Sequence, residues 1–185
     1  MYAARVDPPW DLDAWRTQAR AALQAGVEPA AIDWSDDAAP SLLAPTPVTA
    51  LPPVRDAPAV PAEFLASAAR VLAHRDPHRH ALLYRLLWRL ANGEPGLLGN
   101  ALDADVHRVR ELEKAVRRDV HKMKAFVRFR AVPGEHEAYI AWFEPEHHIV
   151  DLAAPFFMRR FAGMRWAILT PYRSVQWDGE QLWAG

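Results

Sequence analysis

Apolar residues recur every three or four positions along most of the 185-residue chain, and towards its end they alternate with polar ones. The first spacing predicts helices and the second strands. Trp15, Ala19, Ala22 and Leu23 mark a helix from about Asp13 to Ala25, stopped by Gly26. Ile32 and Trp34 suggest a brief extended piece. Between Asp36 and Pro61, seven prolines and few charges favour an extended linker over a helix or a central strand. Pro61 suits a first helical position, and Phe64, Leu65, Ala68, Val71 and Leu72 carry the next helix to a break at 75–77. Leu82, Leu83, Leu86, Leu87 and Leu90, with Tyr84 and Trp88 among them, make the third helix broadly apolar, so burial on more than one side is expected.

A fourth helix is expected to start at Asp103 or Asp105, either of which is a suitable cap. Its apolar stripe is Val109, Leu112, Val116, Val120 and Met123. The period then changes. Residues 124–132 and 137–143 are rich in β-branched and aromatic side chains, and Pro133-Gly134 between them reads as a hairpin connection. A helical stretch from about His147 to Phe161 follows Pro145, with Ile149, Leu152, Ala153, Phe156 and Phe157 on its apolar side. Strands are expected over 166–170, 174–177 and 181–183, with Asp178-Gly179 as the last turn. The predicted class is α+β: an N-terminal helical half of about four helices, then an antiparallel hairpin–helix–hairpin sheet half. The expected divisions are 1–35, a helix and short extended piece; 36–61, a Pro-rich linker; and 62–185, the α+β core.

Charge adds a feature that the apolar pattern does not. The chain has 22 Lys and Arg against 23 Asp and Glu, but nine of those cations lie between Val106 and Arg130 beside only Glu111, Glu113 and Asp119. That stretch carries +6 and the remainder −7. At about 100° per residue Arg110, Lys114, Arg117, His121 and Lys124 fall within roughly an 80° sector, one basic ridge beside the apolar stripe. Clustered charge of one sign points to an anionic partner, phosphate above all. Lys122, Arg128, Arg130, Arg159 and Arg160 extend the patch.

Other chemistry is thinner. With no cysteine, disulfides, thiolate metal sites and cysteine nucleophiles are excluded. No apolar run reaches the roughly 18 residues of a membrane span, and the N-terminus lacks a signal-peptide pattern, so a cytoplasmic protein without membrane contact is expected. Gly93, Gly96 and Gly99 follow a helix, whereas a dinucleotide fingerprint follows a strand. Residues 144–148 gather Glu144, Glu146, His147 and His148, to which His121 could be added as an acid/base group. Adjacent histidines point apart, so no metal and no cofactor is expected, and the two glutamates are expected to support the start of the following helix. Trp142, Trp166, Trp177 and Trp183 all fall on predicted strands, where aromatics usually fill a core and less often stack on bases.

The run His121-Lys-Met-Lys-Ala-Phe-Val-Arg-Phe-Arg130, followed by Trp142-Phe-Glu-Pro-Glu-His-His148, Ala154-Pro-Phe-Phe-Met-Arg-Arg-Phe161, Met164-Arg-Trp-Ala-Ile-Leu-Thr-Pro171 and Trp177-Asp-Gly179, resembles a bacterial domain of unknown function. That domain occurs in front of X-family uracil-DNA glycosylases. In another branch it is a separate DNA metabolism protein encoded beside a radical-SAM protein of DNA modification or repair. The likeness covers about Phe64 to Gly185, and residues 15–34 are similar to the amino end of the glycosylase-fused branch. It singles out His121, Met123, Lys124, Phe126, Arg128, Phe129, Pro145, His147, Pro155, Arg160 and Trp166. The chain ends at Gly185 before any glycosylase half, so uracil excision is not expected of it.

Three functions follow as expectations. The first is a non-catalytic DNA-binding or targeting module for such a repair enzyme, holding single- or double-stranded DNA through the ridge. The second is a scaffold that binds the enzyme without touching DNA. The third is a nucleic-acid-processing enzyme built on His121, Glu144, Glu146 and His147.

Overall fold

The structure, a computed structural model, describes residues 1–34, 45–133 and 137–185. The fold is α+β and falls into two compact units, Met1–Glu113 and Lys114–Gly185.

The first unit is mostly helical. Helix α1, Leu12–Gln24, starts where the Asp11 side chain accepts from the Ala14 amide, and it buries Trp15, Ala19, Ala22 and Leu23. Gly26 ends it at φ 69°, a left-handed conformation that suits glycine. Helix α2, Ala62–Ala73, follows Pro61, and α3, Arg79–Ala91, buries Leu82, Leu83, Tyr84, Leu86 and Leu87. A small parallel sheet joins them: β1, Tyr2–Ala3, lies between β2, Ile32–Asp33, and β3, Thr46–Pro47. Strand β3 belongs to the Pro-rich stretch, and the following Val48 is fully buried. Positions 36–44 of that stretch lie outside the described residues. The core is aromatic, with Trp15 stacked on Trp34 at 6.3 Å and Tyr84 at 5.6 Å from Trp34. Tyr84 donates to the Val27 carbonyl at 2.7 Å, and burial pushes its hydroxyl pKa up. Arg79, only 3% exposed, donates to the carbonyls of Leu72, Asp76 and Pro9. It thereby serves the open carbonyl end of α2.

Helix α4, Ala104–Phe126, is 23 residues long, about 34 Å at 1.5 Å per residue. Asp103 caps it by accepting from the amides of Asp105 and Val106. Val106, Val109 and Leu112 join the core of the first unit, while Val116 and Met123 are buried further along. Among the described residues, no helix is long and apolar enough to cross a membrane.

In the second unit a five-stranded sheet runs β4, Arg130–Val132; β5, Ala138–Trp142; β6, Arg165–Leu169; β7, Ser174–Trp177; and β8, Leu182–Ala184, in that spatial order. Helix α5, Val150–Arg160, connects β5 to β6. The expected order of hairpin, helix and hairpin is present, and β4–β5, β6–β7 and β7–β8 are antiparallel. The seam β5–β6, by which the two antiparallel hairpins meet, is parallel. A connection containing an 11-residue helix returns the chain to the end where β5 began, and strands joined that way run in the same direction. Residues 124–126 depart from expectation: they continue α4 instead of opening a strand, and the Val127 amide still reaches the Met123 carbonyl. Phe129 then turns inward against Phe157, Phe161 and Trp166. Gly134, half of the expected turn, lies outside the described residues.

Candidate nucleic-acid interface

The exposed side of α4 carries the basic ridge. Lys114, Arg117, Arg118, His121, Lys122 and Lys124 are all exposed, and Lys114 to Lys122 line a shallow surface groove. Arg110, in the first unit, is exposed and donates to the Leu98 carbonyl at 3.1 Å. The Lys124 ammonium lies over the Phe156 ring at 5.2 Å, a cation–π contact made by an exposed side chain. Arg128 folds back to the carbonyls of Ala125 and Val127, and so closes the C-terminal end of α4. Arg130 is exposed on β4, and Arg159 and Arg160 are exposed in the last turn of α5, with Arg160 over Phe161 at 5.3 Å.

The other sequence-predicted group, residues 144–148, forms a loop beside α4. Lys122 donates to Glu146 at 2.5 Å; this bond holds the Glu146 carboxyl below its ordinary pKa and raises that of Lys122. Glu144 accepts from the Trp142 indole at 2.9 Å. Neither glutamate supports α5 as expected: its first amide, on Val150, donates instead to the Tyr172 hydroxyl at 2.9 Å. His147 donates its backbone N–H to Asp119 at 2.9 Å, and Asp119 is only 3% exposed. His121, two residues on and therefore about 200° round the helix, lies on the exposed ridge. Asp119, not His121, is thus the α4 residue bonded to His147, beside the Lys122 contact with Glu146. His148 packs edge-on against Tyr172 at 4.7 Å. Among the described residues, no three His, Cys, Asp or Glu side chains group closely enough to hold a metal ion.

Asp119 and Tyr172 are the residues that the sequence reading missed. Asp119 counts as one acid within a basic run, and only its position on the buried stripe, three residues after Val116 and four before Met123, marks it as different.

Most cations of the second unit are uncommitted. Its ion pairs among the described residues are Lys122–Glu146 and Arg173–Asp151. Lys114, Arg117, Arg118, Lys124, Arg130, Arg159, Arg160 and Arg165 form none there. Residues 114–185 hold 11 Lys and Arg and 8 Asp and Glu, a net +3 in a chain of net −1.

These features define an α+β protein whose longest helix presents a cationic face and leads into a mixed five-stranded sheet. The chain belongs to the DUF4130 family, a domain of unknown function, which it matches over residues 77–180, more than half its length. No curated protein and no solved structure matches it significantly.

Proposed function

We propose that the protein is an accessory nucleic-acid-binding module that serves a DNA-repair enzyme. The observation that carries this reading is the row of exposed, unpaired cations on α4: Lys114, Arg117, Arg118 and Lys124 in a unit of net positive charge. These cations recur at helical spacing along one face, where they match the anionic edge of a nucleic-acid backbone. Contacts to phosphate set affinity and register and leave sequence preference weak. The assignment to repair rests on the likeness of the 121–179 motifs to a domain found with uracil-DNA glycosylases and radical-SAM proteins. No catalytic step is assigned to this chain.

The test is fluorescence anisotropy of the full chain with a labelled 20-base duplex across a salt series. Affinity is expected to fall linearly on a log–log plot, with a slope near −0.9 for each phosphate neutralised. Arg117→Glu with Lys124→Glu is expected to weaken binding and flatten that slope. Absence of binding at about 50 mM salt, where electrostatic association is strong, would sink the reading. A calorimetric titration with a uracil-DNA glycosylase or radical-SAM partner tests the accessory role.

A further inference from the structure

Register divides the four strand tryptophans of the second unit into two pairs. Trp166 and Trp177 are 2% and 9% exposed; Trp166 packs on Phe157 of α5, and Trp177 donates to the Ala162 carbonyl just beyond that helix. Trp142 and Trp183 lie on the opposite face, each 57% exposed. Partnered residues share a face, so Arg130, Ile140, Ala167, Gln176 and Trp183 form one row across all five strands. Trp142 and Leu169 belong to the next row on one side, and Val132, Ala138 and Arg165 to the row on the other. Val132 and Ile140 are exposed as well, and a surface groove crosses the face between Val132, Ile140, Arg165 and Gln176.

An open apolar sheet face marks a binding surface, and the charges on it select the partner. Arg130 and Arg165 share this face and form no ion pair among the described residues. Each exposed indole is tied by its N–H edge, Trp142 to Glu144 at 2.9 Å and Trp183 to Asp178 at 2.8 Å. Such a tie limits rotation of the ring while leaving its flat faces for stacking. Asp178 is occupied further by the amides of Glu180 and Gln181. Anchored rings on a β-surface beside unpaired guanidinium groups are the ingredients of a base-stacking platform.

We infer that the open face of the β4–β8 sheet binds single-stranded nucleic acid, with Trp142 and Trp183 stacking on bases and Arg130 and Arg165 meeting phosphates. Three strand spacings of about 4.8 Å, with an offset of one row or about 7 Å along the strands, separate the two rings by roughly 16 Å, so they take non-adjacent bases of one extended strand. A duplex cannot use this face, because its base planes are already stacked. The inference rests on the nucleic-acid reading of α4 and adds to it a second surface and a strand preference.

The experiment compares the full native chain, Trp142→Leu/Trp183→Leu and Arg117→Glu/Lys124→Glu, using labelled oligothymidylate and a duplex of equal length at one salt concentration. Leucine keeps the face apolar and removes the rings. The tryptophan variant is expected to lose tenfold or more in single-strand affinity with duplex affinity unchanged, since stacking contributes about 1–3 kcal/mol per base. Trp142→Phe/Trp183→Phe should restore most of the loss. The α4 variant should weaken both probes. If the leucine variant matches native protein on both probes, or loses equally on both, the sheet inference fails while the α4 reading stands. If native protein binds neither probe, both readings fail. Sedimentation showing a native dimer that the leucine variant splits would give this face to a second copy and overturn the inference.

Discussion

Met1–Glu113 and Lys114–Gly185 each hold eleven Lys and Arg, yet the first also holds fifteen Asp and Glu and the second only eight. In the first unit most of those cations serve the structure. Arg5, Arg16, Arg70, Arg85, Arg89 and Arg108 are in ion pairs, and Arg89 alone reaches Glu94, Asp103 and Asp105. Arg55 and Arg79 give their N–H groups to backbone carbonyls. In the second unit two of eleven are in ion pairs among the described residues. A cation already saturated by its own chain gains little from an incoming phosphate, because the new contact must displace an old one. An unpaired one loses only water and counterions. Positive charge alone therefore does not locate a binding surface; positive charge without an internal partner does.

The sharpest way to break this contrast is Arg79→Leu. The buried Leu72 carbonyl would lose its donor, and the Asp76 and Pro9 carbonyls would keep only the Arg79 amide and the His80 ring; stability should fall by about 2–3 kcal/mol, read by denaturant melts, with nucleic-acid affinity of the folded protein unchanged. Next comes Arg117→Glu/Lys124→Glu, for which the reverse is expected: affinity lower by about 10- to 100-fold at low salt, stability within about 0.5 kcal/mol of native. Equal damage to folding would mean that these cations are structural after all. Asp119→Ala removes the acceptor for the half-buried His147 amide and should cost about 1–2 kcal/mol by the same melts. The smallest effect is in acid. The Arg89 hydrogen bond holds the Asp103 carboxyl down to about 2, against about 3.9 in an unfolded chain. A lowered carboxyl stabilises the fold above its unfolded value and loses that contribution as pH falls through the folded one. Stability should therefore drop between about pH 4 and pH 2, by less than about 1 kcal/mol, and Arg89→Gln should flatten the change.

Much of this architecture is legible in the residue pattern. The four residues assigned to the buried side of α1 are the ones it buries, and the charge count of 106–130 finds the ridge on α4 without any knowledge of the fold. Tertiary context decides the rest. Phe126, Val127 and Phe129 among cations look like alternating strand positions, but Met123 and Val127 continue a helical stripe, and Phe129 finds its partners on α5 and β6. The parallel seam depends on where a crossover helix delivers the chain, which no local signal encodes. Four tryptophans of similar sequence setting divide into two buried and two exposed because a period of two places alternate residues on opposite faces, and one position of register decides which. Asp119 escapes a reading based on hydrophobicity because it is a buried polar residue whose partner is a backbone amide.

Helix α4 also has a consequence for dissection of the molecule. The boundary between the compact units falls inside it, between Glu113 and Lys114, and the family match starts at Pro77, well upstream. Cutting there would leave helical pieces of ten and thirteen residues, too short to be more than marginal as isolated helices in water. The helix is therefore common property: a fragment meant to carry the basic ridge must begin at or before the Asp103 cap, and the smallest transferable piece that holds the ridge is larger than the second unit alone.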